Sequence, residues 1–378
     1  MGNTKPSNRI ACLDGLRGMA ALWVLVGHAH ILTGFKVPVI GTPDLGVDLF
    51  VMLSGFLMVF HYQLRQTKEP WEAPSTWTAF WIRRFFRIAP LYYVMLFAAL
   101  LLGPIIYDAR MAIDAFNAVP PQPAARYLDG SLTNYLVHLC FLFGLSPAYH
   151  YRTALPDWSI GLEMQFYVAL PFIMVVVGRL GWLKGIVGVV AAGILTAYAI
   201  SKLGYGFAMP SFLPLKMHVF AAGMILAAAL EVSNRRAYLY AALACLFVLV
   251  PIGGDMRPMH ALVRLSLVVL FFVLVHPQRL PALLSGVAQA VSDFLGNRFF
   301  HTLGELSFGA YLIHLLVMQP VIAYLIRHAE MTDPQRWLLA LAITLPITYG
   351  LAAIGYNLVE MQGQKIGRSL TRPRTAAA

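Results

Sequence analysis

The sequence predicts an all-α polytopic membrane protein with about ten transmembrane helices, both termini cytoplasmic, and one short re-entrant or peripheral helix. Three observations carry that reading. Hydrophobic residues make up 59% of the chain and charged residues only 12%. Apolar runs long enough to cross a bilayer recur along its length, which no soluble fold accommodates. The Lys and Arg residues behind the net charge of +11 cluster in short segments between those runs. That placement is the mark of membrane topology rather than of a nucleic-acid surface.

The apolar segments fall near residues 12–32, 46–60, 88–106, 132–145, 158–177, 183–201, 212–230, 238–251, 261–275, 303–326 and 337–359. The first follows a basic stretch at residues 1–10, is too long for a signal-peptide core and has no small-residue cleavage site, so it reads as an uncleaved span. Pro6 stands where a myristoylation motif wants Ser or Thr, and no lipid anchor is expected. The segment at 132–145 is short for a span and carries Asn134 and His138. If it crossed, loop Lys and Arg would divide almost evenly between the two sides. If it does not, the excess lies inside, with Arg83, Arg84, Arg87, Arg235, Arg236, Lys365 and Arg368 among it. The positive-inside bias therefore favours ten crossings.

The same assignment places residues 108–157 outside, a Pro-, Asp- and aromatic-rich connection too long for a turn and of the kind that forms binding surfaces. Residues 1–370 are expected to form a single integral-membrane domain and residues 371–378 a short disordered tail. Cys12, Cys140 and Cys245 are an odd, widely spaced set beside apolar stretches, which suits packing rather than a disulfide framework or a zinc site. No P-loop, dinucleotide-binding glycine loop, GxSxG elbow or HExxH site is present in the sequence, and no metal or redox cofactor is expected.

Arg17 and His28 are the loudest chemical signal, because ionisable side chains within a span are rare and usually functional. Eleven helical steps bring both to the same face, about 16 Å apart along the axis. A guanidinium suits a phosphate, and an imidazole can accept a proton from a hydroxyl or carry an acyl group. Asp14 lies one turn before Arg17 and offers the plainer reading of a structural pair, as a backbone carbonyl would for His28. His30 points elsewhere on the helix.

Further along, Arg84 and Arg87 lie one turn apart beside Arg83, just before a span. They either clamp a polyanion or serve as a positive-inside stop next to anionic headgroups. In 158–171, WSIGLEMQFYVALP, Ser159, Glu163 and Tyr167 share a face. Glu163 either orients His28, binds an acceptor hydroxyl, or is a buried carboxylate with a structural partner. Gln165 lies on another face. In 303–314, LGELSFGAYLIH, Ser307, Tyr311 and His314 form a stripe that suits helix glue as well as chemistry. Asp48 lies near the outer edge in GVDLFVMLSGF, where Ser54 and Gly55 suit close helix packing. Glu360 ends the last span beside Lys365 and Arg368, which suggests a local ion pair.

LDGLRGMAALWVLVGHAH, GVDLFVMLSGFLM, RRFFRIAPLYY, DWSIGLEMQFYVALP and LSFGAYLIH follow one another in this chain in the order seen in acyltransferase family 3, which the sequence resembles over nearly its whole length. That family comprises membrane acyltransferases that modify cell-surface glycans. Arg17 and His28 match its signature of Arg or Lys, ten residues, then His, and Arg84 and Arg87 match its RxxR motif. The resemblance implies a bacterial inner-membrane enzyme that uses a cytoplasmic acyl-CoA, acetyl-CoA by default, as co-substrate to acylate a sugar hydroxyl outside. His28 and Glu163 would be catalytic, with His28 as general base or transient acyl carrier. Arg17, Arg84 and Arg87 would bind the donor, and Asp48, Ser159, Tyr167, Tyr311 and His314 would line the acceptor site or a pore. The partners implied are the bilayer, acyl-CoA, a glycan acceptor and polysaccharide-assembly proteins.

Two departures stand out. Met164 follows Glu163 where many members have a second acidic residue, and Met361, Gln362 and Gly363 follow Glu360 in place of a Lys-Pro-like continuation. No appended extracellular hydrolase-like domain is expected after the last span. The reading from another class is a transporter of an anionic or acylated small molecule, since a basic inner mouth and midplane His, Glu and Tyr suit an ion path too. Inverted repeats and matched broken helices, which transporters often carry, are not evident.

Overall fold

The computed structural model describes residues 10, 12–254 and 256–372. The basic N-terminal stretch at 1–9 and most of the expected tail, 373–378, lie outside the described residues. In chain order the helices are α1 (Cys12–Thr33), α2 (Pro43–Arg65), α3 (Pro74–Leu101), α4 (Gly103–Phe116), α5 (Ala125–Leu128), α6 (Leu132–Leu139), α7 (Trp158–Leu180), α8 (Trp182–Lys202), α9 (Met217–Ala228), α10 (Asn234–Val248), α11 (Pro258–Val275), α12 (Ala282–Leu295), α13 (Arg298–His328), α14 (Asp333–Gly355) and α15 (Met361–Leu370). No strand occurs among the described residues. Eight helical stretches are long and apolar enough to cross a membrane: α1, α2, α3, α7, α8, α11, α13 and the continuous run Asp333–Leu370. The all-α polytopic membrane architecture expected from the sequence is the one observed.

Three helices depart from the expected segments. The run near 88–106 belongs to α3, which starts earlier at Pro74 and stops at Leu101; Pro104 then opens α4 instead of continuing the span. The connection at 108–157 is accordingly not a bare loop, since α4, α5 and α6 occupy parts of it. α12 was not anticipated at all. Its 14 residues are too few to span, and Leu283, Leu284, Val287 and Phe294 lie exposed on it, as on a helix resting in a membrane interface.

The short segment at 132–145 folds as α6 and a single 3-10 turn at Phe143–Leu145. At 1.5 Å per residue its eight-residue helix is about 12 Å long and cannot cross. It packs against α3 and α7 instead. Tyr93, well inside α3, donates to Leu139 O at 2.6 Å, and Gly144 lies against Gly161 and Gln165 of α7. Asn134 and His138 face inward and are buried, whereas Leu132, Leu136 and Leu139 are exposed on the other face. The polar residues that made this segment a poor span are the ones that anchor it. Buried Asn134 donates to Asp129 O and Arg152 O, and His138 stacks on Phe143. Arg152 also pairs with Asp129 at 2.7 Å. Burial raises the Asp129 carboxyl, but hydrogen bonds from Ser131 and Arg152 outweigh it and hold the group below the usual carboxylate range.

Two close helix contacts organise the bundle. α2 meets α9 where Gly55 lies against Phe220 and Gly223 against Met52, as small residues do when they let membrane helices approach. α1 meets α13 where a Cβ on Gly304 would collide with the carbonyl oxygen of Asp14.

Asp48 has a structural position. It is buried between Lys216, which precedes α9, at 2.5 Å and Arg264 of α11 at 2.7 Å, with all three side chains 3% exposed or less. A carboxylate between two cations ties α2, α9 and α11 together. Gln165 is likewise a tie, bonding to Gly161 O, Ser211 O and the Leu213 N–H.

Gly304→Ala is expected to destabilise the protein by about 1–3 kcal/mol, because α1 and α13 must separate to admit the methyl group. Gly188→Ala, at a position on α8 with open space around it, is expected to be neutral or slightly stabilising. Thermal unfolding of the purified protein in one detergent compares them. Asp48→Asn is expected to cost about 3–5 kcal/mol by leaving two buried cations without a counter-charge. Replacing Asp48, Lys216 and Arg264 together by apolar residues should cost less than Asp48→Asn alone, which the same unfolding measurement reads.

Candidate active site

Arg17 and His28 leave the same face of α1, and both meet α13. The Arg17 guanidinium donates to Ser307 Oγ at 3.4 Å and lies 3.9 Å from Asp14, so the nearby acid is a loose partner rather than a tight neutraliser. Arg17 also borders a cavity of about 80 Å³ inside the bundle. Glu163 and Ser159 of α7, Ser54 of α2, and Ser307 and Tyr311 of α13 supply the other polar groups of its wall, with Phe50 and Phe220 among the apolar ones. A cavity of this size has room for a short acyl group.

At the other end of the stripe, the half-buried His28 faces His314, which is fully buried. His314 Nδ1 lies 2.6 Å from Tyr311 O. A carbonyl can only accept, so Nδ1 of His314 carries the proton and, in the neutral ring, Nε2 is left as an acceptor. That Nε2 lies 3.2 Å from His28 Nδ1, which is also 2.9 Å from Val24 O. His28 must therefore be protonated at Nδ1, its N–H shared between the carbonyl and His314. The consequence is chemical. Nε2 of His28 keeps its lone pair, and two acceptors already face the Nδ1–H that would become more acidic if Nε2 took a proton.

Tyr311 links this pair to the cavity. Its hydroxyl donates to Pro156 O at 2.7 Å and lies 2.7 Å from Ser159 Oγ, so the chain leading into α7, α7 itself and α13 meet there. Glu163 accepts from Ser54 at 3.0 Å and, in a short hydrogen bond, from Tyr167. Its partners are hydroxyls on α2 and α7. The side chain that orients His28 is His314, which comes from α13.

The arginines separate into two kinds. Arg87 forms an ion pair with Glu360, which is buried. This overturns the local pair expected for Glu360 with Lys365 or Arg368. The chain forms a π-helical turn at Tyr356–Glu360 before α15, and its last residue lies against α3. Arg84 has no carboxylate partner among the described residues: its guanidinium lies 5.6 Å from the Phe80 ring centre and 5.7 Å from that of Tyr167, with Nε buried and unbonded. Since Tyr167 bonds Glu163, Arg84 is one ring away from the cavity wall. Asp48 faces α9 and α11, away from the cavity that its neighbours Val47, Phe50 and Val51 line.

The structure therefore brings Arg17, Glu163, Ser159 and Tyr311 to one cavity, with His28 and His314 behind Tyr311 and with Tyr167 and Arg84 behind Glu163. Sequence reasoning assigned no partner to Asp48, although Lys216 and Arg264, cations flanking or inside apolar runs, were signals of one.

Comparison with known proteins identifies acyltransferases as relatives of this chain. The chain is 26% identical to acyltransferase MdmB of Streptomyces mycarofaciens over 92% of its own length and 88% of that protein. It is 25% identical to the peptidoglycan O-acetyltransferase OatA of Listeria monocytogenes over 95% of its length, and spans 56% of OatA. A shorter stretch, 45% of the chain and 38% of the relative, is 32% identical to the putative membrane-bound transacylase BcsY of Komagataeibacter xylinus. No solved structure matches the chain. The acyltransferase domain that defines the family matches residues 10–353, with the Arg17–His28 stripe and the His314 that faces it inside the match, and the chain belongs to acyltransferase family 3.

Proposed function

We propose that this enzyme is a membrane O-acyltransferase that takes an acyl group, acetyl by default, from cytoplasmic acyl-CoA and transfers it to a hydroxyl of an extracytoplasmic glycan. The observation that carries the reading is the orientation of His28, whose Nε2 is left with its lone pair behind Tyr311, the residue that closes the far end of the cavity bordered by Arg17. OatA, by its name, acetylates peptidoglycan, and a glycan acceptor for this chain rests on that likeness. The family resemblance supports a bacterial inner membrane, and the positive-inside bias supports the Arg84 side facing the cytoplasm.

In this reading His28 Nε2 removes the proton of the acceptor hydroxyl as its oxygen attacks the thioester carbonyl. The carbon–sulfur bond then breaks, and the imidazolium returns the proton to the departing thiolate. His314 and Val24 O hold the ring and stabilise its charged form through the Nδ1–H. His314 is thus a positioning residue, and Glu163 with Ser54 and Tyr167 forms the polar wall that faces the donor's acyl end. The short acyl group fits the cavity between Arg17 and Tyr311. Arg17 and Arg84 face the donor side, and Arg87, paired with Glu360, holds α3 in place.

His28→Ala is expected to abolish transfer while leaving expression and membrane insertion intact. His314→Phe keeps a ring but removes the acceptor nitrogen and is expected to lower kcat by about 10²-fold with little change in the KM for the donor. His314→Gln, which restores an acceptor, should recover part of that loss. Mass spectrometry of surface glycans from cells carrying each variant reads the outcome, with a gene-deleted strain as the zero. Full acylation in His28→Ala cells would remove His28 from the chemistry. A glycan profile identical with and without the gene would remove the glycan as acceptor.

A further inference from the structure

The face of α2 that presents Ser54 to the central cavity continues toward the Arg84 side of the membrane through Met58, His61 and Arg65, at helical spacings of four, three and four residues. Met58, His61 and Arg65 line a second cavity, of about 30 Å³, together with Arg83, Arg84 and Glu69. Its charges do not cancel. Arg83 takes both oxygens of Glu69, at 3.0 and 2.6 Å, while Arg65 stands 3.8 Å from the same carboxylate. Arg84 brings a further guanidinium without an acid. Two buried nitrogens in this wall, His61 Nδ1 and Arg84 Nε, have no hydrogen-bond partner. A buried donor left unpaired is costly, and an anion's oxygens would satisfy it.

We propose that this inner cavity binds the phosphate end of the acyl donor, with His61 and Arg65 as ligands beside Arg84. The inference rests on the acyl-CoA reading given above and adds where the donor's anionic end is held. Arg65 and Ser54 lie about 16 Å apart along α2. A ligand that fills both cavities must therefore have an anionic end, a long flexible arm and a small acyl group at the far end. A coenzyme A thioester has that form. The cavity is far smaller than a nucleoside, so the adenosine would remain outside it, toward the exposed end of α2. Arg84, stacked on Tyr167 whose hydroxyl reaches Glu163, stands between the two ends.

A phospholipid headgroup would satisfy the same donors, so the test must separate the two sources of phosphate. Acetyl-pantetheine carries the arm and the thioester of acetyl-CoA but no phosphate. Incorporation of labelled acetyl from each donor is measured in open membrane fragments that hold the native acceptor, for wild type, Arg65→Gln, His61→Gln, and Arg179→Gln at the end of α7 as a control for bulk charge. The ratio of kcat/KM for acetyl-CoA to that for acetyl-pantetheine is expected to fall about tenfold in Arg65→Gln and in His61→Gln, and to hold in Arg179→Gln. An unchanged ratio in both cavity variants, as a lipid-binding site would produce, overturns the proposal. So does an equal fall in the control. If wild type uses neither donor, the acyl-CoA reading itself fails, which is a different result from either.

Discussion

The contact of α1 with α13 is the constraint on which the site depends. Gly304 lets the two helices approach until the Asp14 backbone lies against it, and that proximity brings Ser307 to Arg17 and His314 to His28. A wider spacing would leave both ionisable groups of α1 facing apolar surroundings, where a cation or an imidazole has little to bond. One helix pair therefore sets the polar groups at both depths of the membrane.

Around that pair the molecule separates two uses of charge. On α2, Asp48 is consumed in a buried lock with Lys216 and Arg264, and Arg87 is consumed by Glu360. Arg84 and His61 are left with unsatisfied nitrogens and Arg17 with a loose acid partner, all bordering cavities or one ring away from them. The first group holds helices together and the second remains available to a ligand. The connection leading into α7 completes the arrangement: Pro156 fixes Tyr311, which stands between the cavity and the histidine pair.

The helical periodicity of single elements was legible in the sequence, and so were the features that depend on it alone. Arg17 with His28, Ser159 with Glu163 and Tyr167, and Ser307 with Tyr311 and His314 each share one helix face and are found on one face. The short segment at 132–145 was also legible, because Asn134 and His138 are too polar to face lipid. What could not be read was pairing between distant helices. His28 and His314 are 286 residues apart, Asp48 and Arg264 216, and no local pattern joins them. The partner of Glu360 was misread for the same reason, since the π-helical turn that brings it to Arg87 has no signature in the apolar run. α12 was missed because its 14 residues lack the length that marks a span.

The central claim is that the acyl group enters on the Arg84 side and is joined to a hydroxyl on the far side, at His28. Sealed membrane vesicles of defined orientation, prepared with their acceptor glycan, test it most directly, because acetyl-CoA does not cross a bilayer. Inside-out vesicles, which expose the cytoplasmic face, should incorporate label from external acetyl-CoA into glycan, and right-side-out vesicles should not. Incorporation confined to right-side-out vesicles, or equal in inside-out vesicles carrying His28→Ala, would contradict the account.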